Sequence, residues 1–335
     1  MTPRLGLATA LGFLLLAVFL ALAVGRFPLS PLDLGRALWA SVTGTPSGLP
    51  PATSAVLFQV RGPRVLAALL VGAGLATAGT AFQGLFRNPL VSPDLLGASS
   101  GAALGAVVGI LFGLPILGIE ALSFAGGLGA VAVVYAIGAA LRGGDAVLTL
   151  VLTGIVVGSL LGAGIGLAKY LADPYNQLPA ITFWLLGSLA GIGVGDLPPL
   201  ALAVLVGIAL LLALRWRMNA MSLPDEEARA LGVPTGVLRA AIVVGASLVT
   251  AASVAAAGIV GWVGLVVPHL ARLLVGPSFP RLLPTAALLG GGFLLLIDTL
   301  ARTVAPVEVP LGILTAVVGT PFFIALLART RGGWS

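Results

Sequence analysis

Apolar runs long enough to cross a bilayer recur along this 335-residue chain, the first filling residues 5 to 24 between Arg4 and Arg26. Crossing about 30 Å of hydrocarbon takes a helix of roughly 20 apolar residues. In lipid, a helix satisfies every backbone N–H and C=O from within one segment. Counting such runs between charged or Pro/Gly-rich breaks predicts ten spans, at residues 5–25, 64–84, 95–113, 118–140, 146–169, 197–214, 237–256, 258–275, 282–303 and 310–328. The chain therefore reads as an all-α integral membrane protein, with residues 1–335 forming one transmembrane domain. Its composition agrees, with 8% charged residues where a soluble domain carries about 25%.

An Ala21-x-Ala23 pattern could end a secretory signal, but 20 apolar residues exceed the usual apolar region of about 7–15. The first run is expected to be a retained span. The formal net charge of +6 does not point to nucleic acid, because the basic residues stand singly between apolar runs and form no stripe that could follow phosphates. With no cysteine, disulfides, thiolate metal sites and thiol catalysis are excluded, and the sequence offers no other cluster of metal ligands.

Ten spans put both termini on one side. Eleven of the seventeen basic residues then share that side (Arg4, Arg87, Arg142, Arg215, Arg217, Arg229, Arg239, Arg272, Arg281, Arg329 and Arg331), against six on the other (Arg26, Arg36, Arg61, Arg64, Lys169 and Arg302). The positive-inside rule makes the richer side, with both termini, cytoplasmic. Forty-seven glycines suit a lipid-embedded bundle, where small residues let helix backbones approach. An internal echo adds a topological expectation: VGAGLATA at 71–78 and VGASLVTA at 244–251 share six of eight positions, each follows an arginine (Arg64, Arg239), and their helices lie five spans apart. Such helices run in opposite directions, as in an inverted-topology repeat, which is a transporter architecture.

Against this background LPDEEARALGV at 223–233 is out of place, because it gathers three of the chain's eleven carboxylates. It reads as a short helix over 222–233. Ser222 is a candidate cap, Pro224 suits the first turn, and Asp225, Glu226 and Glu227 suit the positive helix end. Gly232 supplies a left-handed stop before Pro234, and Asp225 can pair with Arg229 four residues on. So short a helix needs a surface to dock on. Its own protein is one candidate, and a soluble partner that grips it as a lever is the other.

Other features carry paired readings. Arg61 and Arg64 bracket Pro63 where the second span begins, and Arg302 ends the ninth. Read from the residues, an arginine at a helix end anchors it at the headgroups. Asp298, four residues before Arg302, is expected to pair with it. RNPLVSP at 87–93 cannot continue a helix through Pro89 and Pro93, so it is either a tight turn or backbone lining a cavity. Residues 173–191 are too broken to span twice and read as an external loop plus a short re-entrant helix, with Trp184 at the interface. GASSG at 97–101 matches G-x-S-x-G, but Ser99 lacks the strand-turn-helix setting of a nucleophile, and lone His269 has no evident third residue to orient it.

The run VRGPRVLAALLVGAGLATAGTAFQGLFRNPLVSPDLLGASSGAALGA, together with EEARALGV, GLVVPHLAR and DTLARTVAPVEVPLGILTAVVGTPFF, resembles the FecCD-type permease subunits of ABC importers for iron-siderophores, haem and vitamin B12. These motifs follow the family's order from about residue 56 to the C-terminus. The resemblance implies a type II importer permease of the bacterial inner membrane, paired with a second copy of itself. It would stand on a cytoplasmic ATPase dimer that holds ATP and Mg and beneath an external or periplasmic substrate-binding protein, with no cofactor of its own. It also implies roles. Asp225, Glu226, Glu227, Ala228, Arg229, Leu231 and Gly232 would couple to the ATPase, Arg61, Arg64 and Arg302 would dock the binding protein, and Asn88, Pro89 and Leu90 would form a cytoplasmic gate.

The chain's only lysine, Lys169 in GLAKYLA, is in no P-loop, so ATP hydrolysis by that route belongs elsewhere. The rival is an ion-coupled secondary transporter, which would place carboxylates in mid-membrane. Asp94, Asp145, Asp196 and Asp298 instead fall toward span ends, which disfavours it.

Overall fold

The computed structural model describes residues 3–27, 29–45, 48–141 and 146–330. Arg142 and Arg331, counted on the richer basic side, and Asp145, placed toward a span end, lie outside them. Among the described residues the chain is all-helical, with thirteen α-helices and no strand. They are α1 Pro3–Ala23, α2 Pro31–Thr43, α3 Pro51–Leu85, α4 Ala98–Leu111, α5 Ile116–Ala140, α6 Ala146–Leu171, α7 Gln177–Leu186, α8 Leu197–Met218, α9 Asp225–Ala230, α10 Thr235–Ala257, α11 Val263–Val275, α12 Phe279–Thr303 and α13 Leu311–Thr330.

Seven of these, α1, α3, α5, α6, α8, α10 and α12, are long and apolar enough to cross a membrane. Three expected spans are shorter as helices: α4 and α11, of 14 and 13 residues, and the apolar part of α13. The eighth expected span began at residue 258, but 258–262 is non-helical, and Gly258 and Trp262 both take φ of 68°. A left-handed residue cannot continue a right-handed helix, so α11 starts at Val263.

The second span is also longer than expected. Helix α3 begins at Pro51, so Arg61 and Arg64 lie inside it rather than at its entrance. The turn Val56–Arg61 is π-helical and ends with Gly62 N–H donating to Leu57 C=O. Pro63 explains the widening, since a proline has no N–H to give and its ring clashes with the carbonyl four residues back in a regular helix. Helix α2 was missed, because its span is too short and too polar for a membrane count. Ser30 caps it by accepting from Asp33 N–H, and Leu34 and Ala37 bury against Leu29 and Leu57.

Helices α3, α10 and α12 form the buried centre. Their close approach rests on small residues: a Cβ on Gly72 would meet Gly290 and Leu294 of α12, and one on Gly74 would stand 2.5 Å from Val249 Cγ1 of α10. Helix α4 meets α5 in the same way through Gly101 and Gly126. The two echo segments thus face each other across the α3–α10 contact. Each carries a threonine hydroxyl bonded one turn back, Thr77 to Ala73 C=O and Thr250 to Ala246 C=O. Helix α1 packs mainly on α12, burying Ala10, Ala17 and Ala21, while Gly6 lies against Leu274 and Val275 of α11.

Candidate functional site

At one end of the bundle the chain leaves α8, makes a short turn at Asn219–Ser222 and enters α9. Pro224, not Ser222, occupies the N-cap position, and no side chain caps the helix. The left-handed stop forms as expected: Gly232 has φ 78°, with its N–H on Arg229 C=O at 2.8 Å. A conformation that costs L-residues energy is open to glycine.

The expected Asp225–Arg229 pair does not form. Asp225 instead bridges two arginines from elsewhere in the bundle, with Oδ1 2.8 Å from Arg87 Nη2 in the loop after α3 and Oδ2 2.7 Å from Arg239 Nη2 of α10. Arg229 donates to Thr235 Oγ1 at 3.2 Å. Two charged partners held by tertiary structure win over one neighbour on a six-residue helix. Burial disfavours the Asp225 anion, but the Arg239 and Arg87 guanidiniums outweigh this and hold its pKa below the ordinary carboxylate value.

Ala228 is fully buried beneath α9, whereas Glu226, Glu227, Arg229 and Leu231 are exposed, Leu231 by 68%. Helix α9 is therefore pinned by one acid and one methyl group, with two acids and a leucine facing outward.

The RNPLVSP loop adjoins this helix. Arg87 takes φ 50° and donates through Nε to Met221 C=O at 2.8 Å. Asn88 Oδ1 accepts Leu90 N–H at 2.9 Å, an Asx turn, so the tight-turn reading is correct. The loop also lines a cavity shared with Val151, Ile155 and Ser159 of α6, with Leu90 52% exposed, so the two readings coexist.

At the other end four charges close on one another. Arg64 binds Asp298 Oδ1 at 2.8 Å and holds Glu308 through Nη1–Oε2 at 3.0 Å and Nη2–Oε1 at 2.7 Å. The expected Asp298–Arg302 pair is present, with Nε 3.1 Å from Oδ2, though the N–H itself points to Asp298 C=O at 3.4 Å. Ser188, just past α7, donates to Glu308 Oε1 at 3.0 Å.

Arg61 is 4% exposed and donates to Leu22 and Phe27 carbonyls. Arg61, Arg64 and Arg302 border one cavity, and each is engaged internally. Burial opposes the Glu308 anion, and Arg64 more than offsets it, holding the carboxyl below its usual range. Glu308 went unremarked in the sequence, although EVP after a helix-ending stretch was a signal. Glu120 was overlooked too: it lies near the start of α5 and lines two cavities, one of them with Asp196.

The short helix α7 is seated here. Ser188 N–H bonds Ala257 C=O at 2.9 Å and Leu311 N–H bonds Gly187 C=O at 2.9 Å, so the exit of α7 joins the ends of α10 and α13. Trp184 is half-buried and lines a cavity of ≈330 Å³ with Phe183 and Ile192. Ser99 donates to Asp94, and His269 Nδ1 lies 3.2 Å from Leu265 C=O, so neither serves the other as a catalytic pair.

Comparison with known proteins places this geometry. The chain is 39% identical over 320 residues to the molybdate import system permease MolB of Haemophilus influenzae, covering 96% of this chain and 94% of that one. It is 39% identical over 335 residues to the hemin transport permease HmuU of Yersinia pestis, covering 98% and 97%. A solved inward-facing conformation described as a metal-chelate type ABC transporter superposes with a TM-score of 0.86 at 38% identity, covering 96% of this chain and 98% of that one. The model of the FecCD transport family matches residues 13–329, and the chain belongs to that family of ABC importer permeases.

Proposed function

We propose that this permease imports a metal chelate, a ferric siderophore or haem, from an external binding protein into a bacterial cytoplasm. It would do so as a homodimer with its path between the two copies. An ATPase dimer carrying ATP and Mg sits at the Asp225 end, which faces the cytoplasm of the inner membrane together with both termini. Ten spans arranged as an inverted repeat fit the seven long helices plus α4, α11 and α13, and the contact between the two echo segments supports this. The permease performs no hydrolysis. Cobalamin is the alternative cargo, and the molybdate and hemin names of relatives leave the cargo class broad.

The observation that carries the coupling role is α9 itself, held to α3 and α10 by Asp225 while Glu226, Glu227 and Leu231 face outward. A fixed inner face with a charged outer face suits a lever that a partner pushes. Because Arg87 leads directly into Asn88, Pro89 and Leu90, motion of α9 reaches the gate loop through one ion pair. Arg61, Arg64 and Arg302 receive acids of the binding protein, which must compete with Glu308 and the carbonyls that now hold them.

The test is uptake in proteoliposomes. Transport should require the ATPase subunit and ATP, and replacing Glu226 and Glu227 by Lys should abolish co-purification of the ATPase. Uptake driven by an ion gradient alone would refute the assignment.

A further inference from the structure

Every carboxylate among the described residues that is not exposed has a partner, save one. Asp225, Asp298 and Glu308 hold arginines, while Asp33, Asp173 and Asp196 accept from a nearby hydroxyl or main-chain N–H. Glu120, the fifth residue of α5, is half-buried and has neither hydrogen bond nor ion pair. An ionisable side chain within a membrane span is costly unless something answers its charge. Asp196, which lines a cavity with it, carries the same sign.

Two cavities meet at Glu120. One, of ≈210 Å³, runs between α5, α8 and α10 past Phe124, Leu200 and Asp196; the other, of ≈330 Å³, reaches Phe183 and Trp184 of α7. No lysine or arginine lines either. Helix α10, 23 residues long, ends against the larger one with Ala256 and Ala257 in its wall, so its negative end adds to the field of the two acids. Carboxylate, helix terminus and aromatic rings all favour a cation there. A bare metal ion would need several more oxygen ligands, and no group of three His, Asp or Glu side chains stands together among the described residues. An organic ammonium needs only one counter-charge, and its carbon-bound surface suits aromatic faces and apolar walls.

We propose that Glu120 is the counter-charge of a site for an organic ammonium group, borne either by a soluble cation or by a phospholipid headgroup, with Phe183 and Trp184 as its aromatic wall. Occupancy answers the charge of Glu120 and ties α5 to α7 and to the end of α10.

Thermal unfolding of the detergent-purified permease tests it, in choline chloride against sodium chloride at equal pH and ionic strength. The Tm should rise by about 3 °C for each tenfold excess of choline over its dissociation constant. Glu120→Gln, which breaks no bond within the permease, should fold and lose the response. Trp184→Leu is the second variant, and it should raise the choline dissociation constant about tenfold. Nanodiscs without added amine separate the two sources. If a headgroup is the ligand, exchanging phosphatidylglycerol for phosphatidylcholine stabilises the wild type more than it does Glu120→Gln. A response to dissolved choline alone assigns the soluble cation. The proposal is overturned if neither choline nor phosphatidylcholine favours the wild type over Glu120→Gln, or if a choline response persists undiminished in either variant.

Discussion

Arg64 grips Glu308 with two parallel hydrogen bonds, at 3.0 and 2.7 Å, while its Nε holds Asp298 at 2.8 Å. One guanidinium thereby ties α12 and the approach to α13 onto the interior of α3, and Ser188 extends the tie to α7. Planar two-pronged pairing fixes direction as well as distance, which a lysine could not do.

Asp298 has no solvent exposure and serves two arginines, whereas Glu308 is 23% exposed and serves one. Stranding a buried charge by removing its partner costs about 3–5 kcal/mol. Asp298→Asn should therefore lower the unfolding temperature of the purified permease well beyond the effect of Glu308→Gln. Equal losses in the two variants would show that burial does not rank these carboxylates.

The pH dependence of the α9 contact follows from Asp225, whose folded pKa lies below its ordinary 3.8. A depressed carboxylate contributes stability that is complete above its unfolded value and disappears as pH falls through the folded one. Between pH 5 and pH 3 the wild type should lose stability more steeply than Asp225→Asn. Superimposable profiles would mean that the Arg87 and Arg239 pairs do not matter to folding.

Helix contact can be separated from helix propensity at two glycines. A Cβ on Gly79 would run into the Gly264 backbone of α11, whereas one on Gly158 of α6 meets nothing within 4 Å. Gly79→Ala should destabilise by about 1–3 kcal/mol or more. Gly158→Ala should be neutral or stabilising, since alanine is the better helix former by about 1 kcal/mol. Comparable Tm values for the two variants would contradict the packing described.

On α9, Leu231 is 68% exposed and Ala228 fully buried. Leu231→Ala should leave the Tm within the range of a surface change, about 0.5 kcal/mol, while weakening capture of the ATPase subunit in pull-downs. Ala228→Leu should do the reverse of the first effect and destabilise the permease on its own. A Leu231→Ala protein that binds the ATPase at full strength would remove the outward face of α9 from the coupling role.

Much was legible without coordinates because it depends on local pattern. Apolar length reports membrane insertion whatever a helix packs against, and the acidic island announced a short helix through its charge and Gly232. The Asp298–Arg302 contact was readable because four residues bring side chains to one face. Two elements escaped: α2, whose thirteen residues mix polar and apolar positions, and the π turn ahead of Pro63, whose effect on α3 was taken for a helix start.

The amino-acid sequence by itself determined that this chain lives in a membrane, that it is helical and, through its motifs, which family it resembles. Beyond the local Asp298–Arg302 pair, which acid meets which base was decided only by tertiary structure. Asp225 lies 138 residues from Arg87, and Glu308 lies 244 from Arg64. Pairs so distant in the chain form only when helix packing, set by small residues at α3, α10 and α12, brings their ends together.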